Sequence, residues 1–150
     1  MAEGLEKSEA DCLMSLYLLD TCVLSELRKR EKMNPKVQAW FVKVPANDLF
    51  LSVMTIGEIR RGIEEKRLHD FQQAVHLEKW MGRTLSLFRS HILPVTAVIA
   101  DRWGKLCIGQ ALPEVDGLIA ATALTHDLTL VTRNVQDFKR SGVKLQNPFA

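Results

Sequence analysis

Four short segments bring an acid or an amide to the point where an apolar run gives way to a polar turn or a helix start. They are Leu18-Leu19-Asp20-Thr21-Cys22, Thr55-Ile56-Gly57-Glu58, Val115-Asp116-Gly117-Leu118, and Thr132-Arg133-Asn134 with Asp137 just beyond. Charged groups are seldom buried unless they are paired or bind a metal. Two carboxylates about 4 Å apart repel by roughly 4 kcal/mol at an effective dielectric of about 20. If these segments converge, their charges must be relieved by protons or by a cation, and a hard divalent metal on oxygen ligands is the simplest relief. The pattern is that of a metal-dependent enzyme.

Each acid also has an ordinary structural explanation. Glu58 follows Thr55 by three residues, the spacing of a capping box. Asp116 in a first helical turn complements the helix dipole, worth about 0.3 to 1 kcal/mol. Asp20 and Asp137 both suit turn or N-cap positions. Singly these readings are the simpler ones, whereas four such coincidences in one chain favour a shared site. The block from Asp116 to Ala123 is the most specific: Gly117, Ala120, Ala121 and Ala123 let a helix approach a sheet closely and hold Asp116 rigidly.

The elements needed to bring these acids together can be read from periodicity. Leu16–Leu19 is a continuously apolar run, as in a strand covered on both faces. A helix over Val23–Arg30 follows, capped by Thr21, and Pro35 opens another whose apolar face carries Val37, Trp40, Phe41 and Val44. Asp48–Val53 reads as a second strand. Thr55 then opens a helix with Ile56, Ile59 and Ile63 on one side. Residues 68–90 are amphipathic, with Phe71, Val75, Leu77, Trp80 and Leu85 inward. Ile92–Val95 is a brief strand, followed by helices over 97–111 and 114–126. Strands at Leu128–Thr132 and Val143–Leu145 complete the chain. Strands interleaved with helices predict a three-layer α/β/α fold with a mostly parallel sheet. Ligands of such sheets collect at the carboxyl ends of the strands, where Asp20, Glu58, Asn134 and Asp137 fall.

Composition excludes other classes. The 150 residues suffice for one domain with a full core, and the 47% hydrophobic and 25% charged fractions are those of a globular protein. Three cysteines, Cys12, Cys22 and Cys107, without a C-x-x-C pair argue against a disulfide scaffold or structural zinc and for a reducing cytoplasm. No apolar stretch approaches the ~20 residues that span a bilayer. Of the net charge of +2, Glu3, Glu6, Glu9 and Asp11 against Lys7 give −3 to residues 1–14, leaving +5 for the rest, which suits an anionic partner. Residues 1–14 read as a disordered extension and 15–150 as the folded domain. A P-loop is absent from the sequence. His126-Asp127 reads as a helix end and turn, and His69 and His76 as solvated positions.

In their order along the chain, Asp20-Thr21-Cys22, the Thr55-x-x-Glu58 helix with Arg60-Arg61-Gly62, Asp116-x-x-Ile119-Ala120-Ala121-Thr122-Ala123 and Thr132-Arg133-Asn134-x-x-Asp137-Phe138 resemble the PIN-domain ribonucleases. Within that family the chain looks most like the VapC-type toxins of bacterial toxin–antitoxin pairs. The resemblance spans about residues 15 to 149. It implies a PIN-like domain in which Asp20, Glu58 and Asp116 coordinate Mg²⁺ or Mn²⁺. The fourth position is Asp137, Asn134 through water, or neither. Thr132 or Thr21 would hydrogen-bond an acid or a water of the site, and Arg133 would offset phosphate charge. Cys22 stands where the family usually has Asn, and a thiol is a poorer partner for a hard cation.

The function so implied is that of a metal-dependent endoribonuclease toxin hydrolysing RNA phosphodiester bonds, with tRNA or another structured RNA as substrate. The alternatives are a catalytically impaired PIN-fold binding or regulatory module, and a phosphohydrolase of small phosphoesters. Arg28, Lys29, Arg30, Lys32, Arg60, Arg61, Arg83 and Arg89 are candidates for tracking an RNA backbone. The implied partners are a cognate antitoxin and a second copy of the chain, as a homodimer or a dimer of dimers with antitoxin, and no membrane. The Val37, Trp40 and Phe41 face, with Ile56 and Ile59, is a candidate antitoxin groove, with a plain core as the alternative.

Overall fold

The computed structural model describes residues 15–109 and 112–150. The extension read for residues 1–14 lies outside the described residues, as do residues 110–111; the helix read over 97–111 ends earlier, at Leu106, with Cys107 as its C-cap.

Five short strands, β1 (Tyr17–Leu19), β2 (Leu49–Ser52), β3 (Ile92–Leu93), β4 (Thr129–Val131) and β5 (Leu145–Gln146), form one sheet in the order β3-β2-β1-β4-β5, with each neighbouring pair parallel. The expected mostly parallel sheet is therefore wholly parallel. β1 lies at the centre, with Tyr17 in register with Leu49 on one side and Thr129 on the other. From β1 the chain winds outward through β2 and β3, then returns to lay β4 on the opposite side. That reversal splays the connections apart at the carboxyl ends of β1 and β4, where α/β sheets open their ligand crevices.

Alternation along the strands explains the layers. Leu18 and Leu130 point to one face, where Ile119, Ala120, Ala123 and Phe138 complete a core. Leu19, Val131, Leu49 and Leu51 point to the other, against Val23 and Leu24. The first face is covered by α5 (Ala97–Leu106), α6 (Glu114–Thr125) and α7 (Val135–Phe138). The second is covered by α1 (Thr21–Glu26), α2 (Pro35–Lys43) and the hairpin of α3 (Val53–Arg67) and α4 (Phe71–Leu87). Trp40 and Phe41 of α2 pack edge-on to one another, and Trp40 edge-on to Tyr17 of the sheet. Val37 is wholly buried. Val37 is core, and the partly buried Trp40 and Phe41 pack against the same cluster, which fits the plain-core alternative for these three residues.

Several expected boundaries move for identifiable reasons. The first helix starts at Thr21 with Asp20 as its N-cap, and gives way after Glu26 to a 3₁₀ segment over Leu27–Lys32. Glu26 accepts from the Asn34 amide at 3.0 Å and pairs with Lys29 at 2.8 Å, tying this stretch into a turn too tight for an α-helix. Within it Arg30 adopts φ 50° and ψ −112°. Residues 68–90 yield a single helix capped by Asp70. Phe71, expected inward, is 64% exposed at its first turn, its ring lying under the Arg67 guanidinium. The last strand starts two residues late, because Gly142 at φ 78° first closes a turn.

Candidate active site

Asp20 ends β1 and begins α1. Its amide extends the sheet by donating to Val131 of β4 at 2.9 Å. Its carboxylate is nearly buried, at 5% exposure, and is held on both oxygens: the Thr21 amide donates to Oδ1 at 2.8 Å and the Thr132 hydroxyl to Oδ2 at 2.8 Å. Thr132 itself is fully buried at the end of β4, fixed by its own amide donating to Gln146 at 2.9 Å, and it accepts from the Asn134 amide at 3.0 Å. One buried hydroxyl thus links the carboxyl end of β1 to the loop that carries Asn134 and Asp137.

Glu58 lies in the second turn of α3. The capping-box reading of this residue is overturned. Ser52 caps the helix instead, accepting from the Met54 amide at 3.0 Å, which places Thr55 inside the helix rather than at its head. Glu58 is freed from capping and accepts from the Thr21 hydroxyl at 2.7 Å. Thr21 therefore orients two acids at once, Asp20 through its amide and Glu58 through its hydroxyl. The Thr55 hydroxyl is buried without a hydrogen-bond partner.

Asp116 enters from the first turn of α6. Burial, then the charges of Asp20, Glu58 and Asp137, push its carboxyl up to about 6 from the ordinary 3.8. The shift reports convergence: acids from three other segments are close enough for their charges to act on Asp116. Asp137, in α7, is exposed on its rim, as is Asn134, which stands at the head of α7 without a side-chain capping bond. Among the described residues, no three His, Cys, Asp or Glu side chains stand together as a ready-made metal cage. The donor chemistry nevertheless fits a hard cation: carboxylate oxygens, mutual repulsion and a low-dielectric floor. As placed, the acids surround a crevice without closing on it.

A family model described as the PIN domain matches residues 17–144. The chain belongs to the PIN-domain family. It is 33% identical over 139 residues to Toxin FitB of Neisseria gonorrhoeae, a match covering 89% of this chain and 99% of that protein. It is 30% identical to VapC ribonuclease Y4jK of Sinorhizobium fredii, over 89% of this chain and 98% of that one. Among solved structures, FitAcB from Neisseria gonorrhoeae superposes with a TM-score of 0.79 at 32% identity, covering 89% of this chain and 99% of its counterpart.

Three further features of this PIN domain bear on its chemistry. Cys22 is half-buried, its Sγ 3.8 Å from Asp20 Oδ2 and 3.9 Å from Thr132 Oγ1, and burial pushes its thiol up, keeping it protonated and neutral beside the acids. Arg133 lies with its guanidinium 3.8 Å over the ring of Phe149. Sequence reasoning missed Phe149, although Asn147-Pro148 before it is a turn signal, and the Phe149 amide does donate to Asn147 Oδ1 at 3.0 Å. Finally, a cleft of about 350 Å³ opens beside the acids between α1, α3 and α4, with Thr21 and Glu58 at one end and Ile59, Leu77 and Trp80 along it. Of the five apolar residues offered as a groove, Ile59 lines this cleft. His126 ends α6 and Asp127 turns at φ 53° to meet Lys144 at 3.1 Å, so the pair serves the helix end and turn.

Proposed function

We propose that this PIN domain is a metal-dependent endoribonuclease acting as the toxin of a toxin–antitoxin pair, hydrolysing RNA phosphodiester bonds at the crevice where Asp20, Glu58 and Asp116 meet. The observation that carries this is the raised pKa of Asp116, set by burial and by the charges of three other acids brought near it. The relatives named VapC ribonuclease and Toxin FitB support the reaction class and biological role.

Asp20, Glu58 and Asp116 would hold Mg²⁺ or Mn²⁺. When bound there, the cation supplies charge neutralisation and Lewis acidity toward a phosphate and its attacking water. The chain supplies the positioning. Thr132 and the Thr21 amide fix both oxygens of Asp20, and the Thr21 hydroxyl fixes one oxygen of Glu58, so each acid keeps free lone pairs toward the crevice. Asp137, whose charge reaches Asp116, is favoured over Asn134 as the fourth acidic position. Arg133, exposed and flattened on Phe149, is placed to offset charge on a phosphate. A neighbour described as a toxin–antitoxin complex from Klebsiella pneumoniae supports a cognate antitoxin as partner; the assembly we propose is a homodimer, or a dimer of dimers with antitoxin. Among the described residues no helix is long and apolar enough to cross a membrane.

The test is RNA cleavage by purified protein with Mg²⁺ or Mn²⁺ against EDTA, beside Asp116→Asn. We expect cleavage that needs the metal and falls at least a hundredfold in the variant; activity that survives both would refute the assignment. A second reading, a PIN fold that binds without cleaving, draws on Cys22 beside Asp20. It gains if the wild type is inert and Cys22→Asn is active. Turnover of small phosphoesters in preference to RNA would support a phosphohydrolase instead.

A further inference from the structure

The basic residues of the α3–α4 hairpin separate into two populations once the fold is known. On the outward side of the α3–α4 hairpin, Arg60, Arg61 and Arg67 are neutralised by Glu64, Glu65 and Glu78, at distances from 2.6 to 3.4 Å. Lys29 is likewise held by Glu26. Arg28, Arg30, Lys66, Lys79 and Arg83 make no ion pair among the described residues, and all five line the cleft beside Glu58 or its continuation. The continuation is a second cleft of about 320 Å³, which shares Arg28, Gln73, Leu77 and Trp80 with the first and ends on Arg30, Lys79 and Arg83. Glu58, at the end nearest the candidate active site, is the one acid among the described residues lining either cleft.

Unpaired surface cations repel one another, so their concentration along one groove, beside a hairpin whose other cations are paired, points to an anionic occupant. Arg30 adds an independent observation. Its φ of 50° is a left-handed conformation costly for a side chain of this size, and such strain concentrates where a side chain must be aimed. Here the strained residue is one of those lining the groove.

We propose that this groove is the track for the ribose-phosphate backbone of the RNA on one side of the cleaved bond. The strand would run from the end of the cleft at Thr21 and Glu58, over Leu77 and Trp80, to phosphate contacts with Arg28, Arg30, Lys79 and Arg83. Gln73 and Arg83 lie ten positions apart on α4, about 15 Å along the helix, the length of about four stacked nucleotides. The track therefore selects for RNA extended by several nucleotides beyond the scissile bond rather than for a short fragment. This inference rests on the ribonuclease reading of the neighbouring acids. It also narrows the eight basic candidates of the sequence to Arg28, Arg30 and Arg83, and adds Lys79.

The experiment compares the full chain with Arg30→Gln/Arg83→Gln, a second pair Arg28→Gln/Lys79→Gln, and the control Arg60→Gln/Arg61→Gln. Cleavage of a twenty-nucleotide and a four-nucleotide RNA is followed, and binding of the longer RNA is measured by fluorescence anisotropy in EDTA over a salt series. Thermal melts identify any variant that fails to fold, and the other pair then carries the test. For the track pairs we expect KM for the long RNA to rise about tenfold with kcat within twofold and the short RNA unaffected. The slope of log affinity against log salt should fall by about 1.4, or 0.7 for each lost contact, while the control resembles the wild type. Wild-type cleavage together with track variants that bind and cut the long RNA normally, or a control impaired as much as they are, would overturn the track and leave the ribonuclease reading standing. Absence of wild-type cleavage would defeat the ribonuclease reading. The track would then stand or fall on whether the track pairs alone weaken binding in EDTA. A loss of affinity for a polyglutamate probe with RNA binding intact would overturn it in favour of an acidic peptide.

Discussion

Asp116 is the residue at which competing effects can be weighed most directly. Its folded-state carboxyl titrates near 6, against 3.8 when unhindered, so the folded protein holds this proton more tightly than the unfolded chain. Stability is therefore reduced in full above pH 6 and recovers as the pH falls toward 3.8. The shift corresponds to about 1 to 3 kcal/mol after allowing for the solvent that reaches the group. In EDTA we expect the melting temperature to rise between pH 7.5 and 5. The gain should reverse below about 4.5, where Glu26, Glu64 and Glu78, held low by Lys29, Arg67 and Arg60, begin to lose their ion pairs. Asp116→Asn should raise the metal-free melting temperature at pH 7.5 and flatten this rise; a variant less stable than the wild type would contradict the crowding of acids. Thr132 tests the opposite sign. Thr132→Val removes the hydroxyl on a nearly buried carboxylate, which should cost about 1.5 to 3 kcal/mol and most of the activity, with Thr132→Ser recovering much of both. The acids and their order were readable in the sequence because each follows an apolar run. The capping alternative for Glu58 had a physical origin: Ser52 and Thr55 are both competent caps, and the helix takes Ser52.

At the scale of elements, the site depends on how closely helices approach the sheet and each other. Gly117 follows Asp116, and a Cβ there would lie 2.7 Å from Cys107 Sγ and 2.9 Å from Trp103 Cδ1. α5 and α6 touch through this glycine, so Gly117→Ala must push them apart at the residue beside Asp116. We expect about 1 to 3 kcal/mol of destabilisation and a loss of activity exceeding that explained by unfolding, measured by denaturant titration alongside kcat. The sequence showed the small residues of α6 and the need for close approach, but not the partner, because contacts between helices leave no trace in the spacing of one of them. The same limit applies to α2. Its Val37, Trp40 and Phe41 face is equally compatible with a groove and with a core, and only the position of Tyr17 across from Trp40 distinguishes them. The register of β5 was hidden for a simpler reason. Val143 is buried like a strand residue but belongs to the turn set by Gly142.

For the whole molecule the controlling feature is the place of β1, the first strand among the described residues and the middle strand of the sheet. Its partner β2 follows after some 30 residues, but β4, which completes the other side and carries Thr132, begins at Thr129, roughly 110 residues after Leu19. A chain ending at Thr125 would retain Asp20, Glu58 and Asp116 yet lack the strand that brings Leu130 and Val131 to the two cores and the hydroxyl that fixes Asp20. We expect such a truncation to be protease-sensitive and inactive, and a folded, cleaving fragment would show that the long-range pairing is dispensable. At synthesis rates of about 5 to 20 residues per second, this closure waits some 5 to 20 seconds after β1 is made. If the crevice cuts RNA, it is disarmed until Thr132 has emerged: the message and ribosome producing it are spared for as long as β4 is still to be made.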